Sequence, residues 1–248
     1  MDRTARLGTI LLAAVAACGC EGATLMPELA SARAAARASA GRELDPATCA
    51  FGRDFTLASS NDFYPLGVGS RWSLEGEEDG ALVELRITVL DETEDVGGVT
   101  TRVIEEVEWE DGELIEVSRN FVAATEDGAV CYFGEEVDIY EDGEVVSHEG
   151  AWRADAAGNF PGVLMPADPR PGQRFLMEGA PGTAEDEGLV VGTGPVRVPA
   201  GSFSETVRIR ESSPLDGDFD FKVYAKGVGL LVDGPLSLVG WEVTAQGG

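Results

Sequence analysis

Residues 81–112 read ALVELRITVLDETEDVGGVTTRVIEEVEWEDG, and this stretch decides the fold. Apolar and polar residues alternate across 82–90, and the alternation resumes across 99–109 after a turn at 95–98. Alternation with a period of two is typical of a strand that buries one face of an antiparallel sheet. The predicted buried face of the first strand consists of Val83, Leu85, Ile87 and Val89.

A tripeptide, Glu-Asp-Gly, punctuates the chain between Trp72 and Trp152. It occurs four times, at 78–80, 110–112, 126–128 and 141–143. Asp-Gly between alternating segments favours a type I′ hairpin turn, because both central residues of that turn need a positive φ. The sequence therefore predicts an antiparallel meander over residues 72–152.

The pattern is interrupted at 159–171, which is rich in proline and glycine, and shorter alternating segments follow as far as 244. The interruption is either a crossing between two halves of one domain or a boundary between two domains. We predict a mainly β protein: an antiparallel meander forming a large curled sheet, a half-barrel or a barrel, with an N-terminal helical or disordered tether. The predicted single β domain covers 51–248.

The N-terminus resembles a bacterial lipoprotein signal. Arg3 and Arg6 precede an apolar stretch, 7–17, that is too short to span a bilayer. Val15-Ala16-Ala17-Cys18 resembles a lipobox, so residues 1–17 are the predicted signal peptide and Cys18 the predicted lipid anchor; Cys20 is the alternative anchor. An ordinary cleaved secretory signal is a second alternative. The tether is then 18–50, and the protein lies in the cell envelope outside the cytoplasm, lipid-anchored (at the outer membrane in a Gram-negative cell) or secreted.

The cysteine count predicts one disulfide. Cys49 and Cys131 are the only two cysteines beyond the lipobox region, and the compartment outside the cytoplasm permits disulfides. The alternative is a buried, free Cys131 in a strand.

The charge balance excludes some partners. The chain has 18 Lys and Arg against 45 Asp and Glu, a formal charge of -27. Without a basic patch, nucleic-acid binding and attraction to anionic lipid headgroups are not expected. We expect a monomer that meets the membrane only through its lipid anchor.

Catalytic and metal-binding patterns are weak. His148 is the only histidine, and a surface position is favoured over a general base. No zinc ligand set or phosphate-binding loop is present, so we predict no cofactor and no enzyme; a hydrolase using paired carboxylates is a distant alternative. Asp216, Asp218 and Asp220 alternate as calcium ligands can, but a solvated acidic loop is favoured.

Four segments carry a family resemblance. They are Tyr64-Pro65-Leu66 with Gly69 and Trp72, then 166–175, then Val196 to Phe203 with its V-P-A-G-x-F pattern, and finally Tyr224 to Leu230 with its Y-x-x-G-V-G-L pattern. In this order they resemble an uncharacterised group of bacterial secreted and lipoprotein β-domains. The resemblance implies a β-rich envelope protein and supplies no catalytic residues.

These observations predict a non-enzymatic envelope lipoprotein that binds an apolar ligand or a protein partner on its concave sheet face. The predicted ligand face consists of Trp72, Val103, Phe121 and Val207. The alternative is a structural or interaction scaffold in which the same side chains simply fill the core.

Overall fold

The computed structural model describes residues 42–215 and 217–245. The predicted signal peptide, Cys18 and Cys20 lie outside these residues. None of the described helices is long and apolar enough to cross a membrane.

One short 3₁₀ helix covers Pro46–Cys49. The strands are β1 (Arg42–Glu43), β2 (Phe55–Thr56), β3 (Arg71–Glu78), β4 (Ala81–Val96), β5 (Val99–Glu110), β6 (Glu113–Thr125), β7 (Val130–Glu141), β8 (Glu144–Ser147), β9 (Trp152–Arg153), β10 (Gly162–Met165), β11 (Gln173–Leu176), β12 (Glu187–Thr193), β13 (Val196–Val198), β14 (Gly201–Phe203), β15 (Thr206–Ser212), β16 (Phe219–Ala225), β17 (Gly229–Asp233) and β18 (Leu236–Glu242).

Sixteen of these strands form one sheet. Its main path runs β1-β11-β12-β15-β16-β17-β18-β3-β4-β5-β6-β7-β10, while β2 pairs with β6, and β8 and β9 pair with β7. β1 and β11 are parallel, and the other pairs are antiparallel, as the alternation predicted. Strands on both sides of 159–171 belong to this sheet, and so does β10 within that stretch, so 159–171 is a crossing between two halves of one sheet.

The sheet curls until the ends of its path approach each other. Phe160, just before β10, donates its backbone N–H to the carbonyl of Gly179, just after β11, at 2.9 Å. A Cβ on Gly162 would lie 1.9 Å from the carbonyl oxygen of Met177, so glycine is needed for this approach. The described path includes no ladder between β10 and β11. The predicted curled sheet is therefore confirmed, and closure into a barrel does not occur.

Three of the four Glu-Asp-Gly copies form the predicted turn. In each, the aspartate and the glycine both have positive φ; the pairs are Asp79 and Gly80, Asp111 and Gly112, and Asp142 and Gly143. At 126–128 the prediction is wrong, because only Gly128 has a positive φ. There Thr125 organises a wider turn: its backbone carbonyl accepts from Gly128 N–H at 3.0 Å and its hydroxyl accepts from Ala129 N–H at 2.9 Å.

Residues 42–50, predicted to belong to the tether, pack on the sheet instead. β1 pairs with β11, and Asp45 caps the 3₁₀ helix by accepting from Ala47 N–H at 2.9 Å. At the end of that helix Cys49 forms a disulfide with Cys131 of β7, which confirms the predicted pairing. This crosslink and the strand pairing hold the segment on the domain, so any tether ends before residue 42.

Candidate ligand-binding cavity

The curl of the sheet encloses a cavity of about 220 Å³. Its walls come from strands far apart along the path: Trp72 from β3, Tyr132 from β7, Leu164 from β10 and Lys222 from β16. Glu178, between β11 and β12, adds the opposite end of the path. The cavity therefore exists because the two ends of the sheet approach each other.

One wall is aromatic. Tyr64 and Tyr224 pack with their ring centroids 6.0 Å apart, and Trp72 donates its indole N–H to the carbonyl of Val228 at 2.7 Å. Gly229 has a φ of 98°, and a Cβ there would lie 3.1 Å from the Trp72 indole. The first and last of the four sequence landmarks thus meet at this wall, and the glycine makes room for the indole.

The remaining walls are strongly acidic. Seven carboxylates face one ammonium group, that of Lys222; the carboxylates belong to Glu106, Glu116, Glu135, Glu178, Asp186, Glu211 and Asp233. The Lys222 Nζ atom lies 3.2 Å from Glu211 Oε2 and 3.6 Å from Asp233 Oδ2. Within the described chain no cation lies at ion-pair distance from the other five carboxylates. The cavity therefore holds more acidic groups than the described chain pairs with cations.

Burial raises the pKa of five of these seven carboxyl groups. Loss of hydration raises the pKa of Glu106 to about 7, that of Glu178 to about 7 and that of Glu135 to about 8. Burial opposes the charge of Lys222, but Asp233 and Glu211 outweigh that cost and hold its pKa well above the usual value. Glu106, Glu135 and Glu178 thus exchange protons near neutral pH, while Lys222 stays charged.

A second cavity of about 190 Å³ continues from the first and shares Glu106, Glu116 and Asp233 with it. Its other acidic residues are Glu78, Glu108 and Asp220, and its aliphatic lining includes Val83, Leu85 and Leu236. Together the two cavities form a space that is lined by both carboxylates and aliphatic side chains. We call this space the acidic groove.

The first cavity contains one side-chain network whose hydrogen bonds are formed and one carboxylate oxygen that has no hydrogen bond. The Tyr132 hydroxyl donates to Asn120 Oδ1, and the Asn120 amide donates to Ser118 Oγ at 3.2 Å. By contrast, Glu211 Oε1 is buried and has no hydrogen-bond partner among the described residues. Glu211 therefore presents a desolvated acceptor that a bound donor would satisfy.

Of the four residues predicted to form the ligand face, only Trp72 lines the cavity. Val103 and Phe121 are directly paired across β5 and β6 and are buried. Their neighbours Ile104 and Asn120 line the cavity, so strand alternation turns Val103 and Phe121 to the other face.

That other face carries a core of its own, which contains the buried Cys131 and Phe133. Phe55 packs edge-on against Phe133 at 5.1 Å. Val207 is fully buried opposite Tyr224 and fills core beside the cavity. Three of the four predicted residues are therefore core rather than ligand face, because the sheet buries both of its faces here.

The predicted calcium ligands are not brought together in the described chain. Asp216 lies outside the described residues, and within 42–215 and 217–245 no three His, Cys, Asp or Glu side chains are placed to hold a metal ion. Asp220 lines the acidic groove instead. The side chain of His148 is 70% exposed, with Nδ1 at 2.9 Å from Asp138 Oδ1, which is the favoured surface position.

The acidic residues of the cavity were missed because acidic residues occur throughout the sequence. One signal could have found them. Lys222 is one of only two lysines in the chain and lies in a predicted strand in phase with Tyr224. A rare cation on an inward strand face needs acidic partners, and these partners are what surround it.

The chain matches no protein-family model, no curated protein and no solved structure. The resemblance drawn from the four sequence landmarks stays a prediction.

Proposed function

We propose that the protein is a non-enzymatic, lipid-anchored protein of the bacterial cell envelope that binds a small ligand at the concave face of its sheet. The cavity of about 220 Å³ inside the curl carries this proposal. Ligand sites are typically concave, with apolar and aromatic walls and a few polar groups that orient the ligand. The volume is below the roughly 300–1,000 Å³ of sites for drug-sized molecules, so the ligand is small.

The envelope location is supported by two features. The lipobox-like sequence ends at Cys18, and the Cys49–Cys131 disulfide suits an oxidising compartment. Metabolic labelling of the full chain with a radioactive fatty acid tests the anchor. We expect Cys18→Ser to abolish labelling and Cys20→Ser to retain it. The reverse result would assign the anchor to Cys20, and labelling of neither protein would overturn the lipoprotein proposal.

Ligand binding is tested with a mixed screen of small amines, acids, sugars and apolar compounds, read by ligand-observed NMR on the full chain. Leu164→Trp should weaken the binding of a true ligand, because Leu164 lines the cavity and the larger side chain would fill it. Val146→Trp is the matched control, since Val146 is 52% exposed outside the cavity. If no class of compound binds, or if both variants bind equally well, the cavity is not a site and the scaffold alternative is favoured.

A hydrolase using carboxylates is the second candidate, and the raised pKa values favour it. A general acid works best when its pKa lies near the working pH, as burial arranges for Glu106 and Glu135. Glycoside hydrolases use such a group with a second carboxylate. The test is hydrolysis of a panel of aryl glycosides by the wild-type chain. This candidate would be supported over a pure binding role if the activity is lost in Glu135→Gln and retained in the exposed-site variant Glu126→Gln.

A further inference from the structure

We infer that the ligand of the acidic groove is an elongated aliphatic amine with two or more ammonium groups, that is, a diamine or polyamine. This inference rests on the proposed function and names the chemical class that the site accepts. Three observations carry it: the charge of the walls, the shape of the groove and the groups left without partners.

The acidity of the walls favours a cation, because a bound ammonium group stabilises the ionised form of the carboxyl groups that it contacts. Lys222 already lies close to both Glu211 and Asp233, so it is shared between two carboxylates and leaves the rest of the wall uncompensated. A wholly apolar ligand would contact Glu106, Glu116 and their neighbours without offering them a hydrogen-bond donor, which would leave these polar groups unsatisfied. An anionic ligand would be repelled. Ammonium groups instead pair with carboxylates in charge-assisted hydrogen bonds.

The shape of the groove favours more than one charge on a flexible chain. Glu106, Glu116 and Asp233 stand where the two cavities join, and further carboxylates occur at both sides of this junction. Val83 and Leu85 line the second cavity together with its carboxylates, and Leu85 pairs directly with Glu108 across β4 and β5. An alkyl chain can contact these side chains while the ammonium groups that it carries meet the acids.

The aromatic wall and Glu211 complete the fit at one end. Trp72, Tyr64 and Tyr224 offer ring surfaces that attract cations electrostatically. Glu211 Oε1 is buried there without a hydrogen-bond partner. An ammonium group would bring several hydrogen-bond donors to this acidic end of the cavity while it contacts the rings, which a neutral alkane or an aromatic hydrocarbon could not do.

Isothermal titration of the full chain in 150 mM salt, with defined probes, tests the inference. The probes are spermidine, 1,6-diaminohexane, hexylamine and 1,6-hexanediol. We expect spermidine and the diamine to bind at least tenfold more tightly than hexylamine, and the diol not to bind. Calcium is titrated separately. Binding of calcium with no binding of either polyvalent amine would overturn the inference in favour of a metal site.

A pair of double variants separates the groove from the general negative charge of the protein. The double variant Glu106→Gln with Glu116→Gln should lower the affinity for spermidine at least tenfold. Glu126→Gln with Glu144→Gln removes the same formal charge at exposed positions and should change the affinity less than twofold. Urea unfolding of both proteins verifies that each is folded. Equal weakening by the two pairs would show non-specific attraction and overturn the inference.

The outcomes also distinguish a failure of this inference from a failure of the proposed ligand-binding function. If a neutral or acidic compound from the mixed screen binds, is blocked by Leu164→Trp, and no amine binds, the ligand class is wrong and the binding function stands. If no compound of any class binds, both fall together.

Discussion

The indole N–H of Trp72 bonds to the backbone carbonyl of Val228 at 2.7 Å, across 156 residues of sequence. Trp72 begins the meander on β3, and Val228 lies in the turn between β16 and β17. The bond therefore fixes the late hairpin against the early strands at the aromatic wall of the cavity. Trp72 is 5% exposed, so its indole contributes packing to this wall as well as the hydrogen bond.

Trp72→Phe is expected to destabilise the fold by about 1–3 kcal/mol, since it removes the part-buried hydrogen bond to Val228 and replaces a packed indole with a smaller ring. Trp241→Phe is the matched control. Trp241 is 42% exposed and packs edge-on against Phe203, so its loss should cost no more than about 0.5 kcal/mol. Urea unfolding of both variants measures the difference. Equal losses would contradict a structural role for the Trp72 bond.

The disulfide predicts a second stability effect. Cys49 and Cys131 are 82 residues apart, and a crosslink over a loop of that length restricts the unfolded chain strongly. The double variant Cys49→Ala with Cys131→Ala should lose about 3–5 kcal/mol of unfolding free energy. Cys18→Ser with Cys20→Ser should leave the unfolding free energy unchanged. A similar loss in this second pair would mean that the cysteines near the N-terminus also form a structural bond.

The hairpin turns predict a third effect, which isolates backbone conformation from packing. Gly112 has a φ of 82°, and a Cβ there would meet nothing within 4 Å. Gly112→Ala should therefore cost about 1–2 kcal/mol from the left-handed backbone alone. Gly192 has the same open surroundings without a positive φ, so Gly192→Ala should be neutral or slightly stabilising. Thermal unfolding compares the two, and a neutral Gly112→Ala would contradict the type I′ turn.

Sequence patterning predicted the fold better than the site, for a physical reason. Alternation at β4 correctly identified Val83 and its in-phase neighbours as buried. On β5 the same logic placed Val103 on the ligand face, because it treats the apolar face as the inner one. The curl buries both faces of the sheet at this point.

The polar face of β5, with Glu106, therefore became the wall of the cavity. No local pattern can reveal this, because enclosure depends on contacts between strands at opposite ends of the sheet. The approach of Phe160 to Gly179, which brings those ends together, joins segments that carry no complementary sequence signal.

The buried carboxylates predict how stability depends on pH. Burial raises the pKa of Glu106 to about 7, from an ordinary value of 4.5, and that of Glu135 to about 8. Between about pH 4.5 and pH 7–8 the folded chain keeps these protons while the unfolded chain releases them. The folded state then binds more protons than the unfolded state, so its stability falls as pH rises through this window and levels off above it.

Urea unfolding at pH 5 and pH 8 should therefore show the protein less stable at pH 8, by at least the roughly 1.4 kcal/mol that one pKa unit represents. Glu106→Gln removes one of these titrating groups and should reduce the drop. Glu126→Gln, at an exposed turn, reduces the magnitude of the formal net charge equally and should leave the loss of stability between pH 5 and pH 8 unchanged. The comparison separates burial from general repulsion in a chain of formal charge -27. Stability that rose from pH 5 to pH 8 would mean that these carboxyl groups ionise near their ordinary pKa in the folded chain, as hydrated and well-separated acids do.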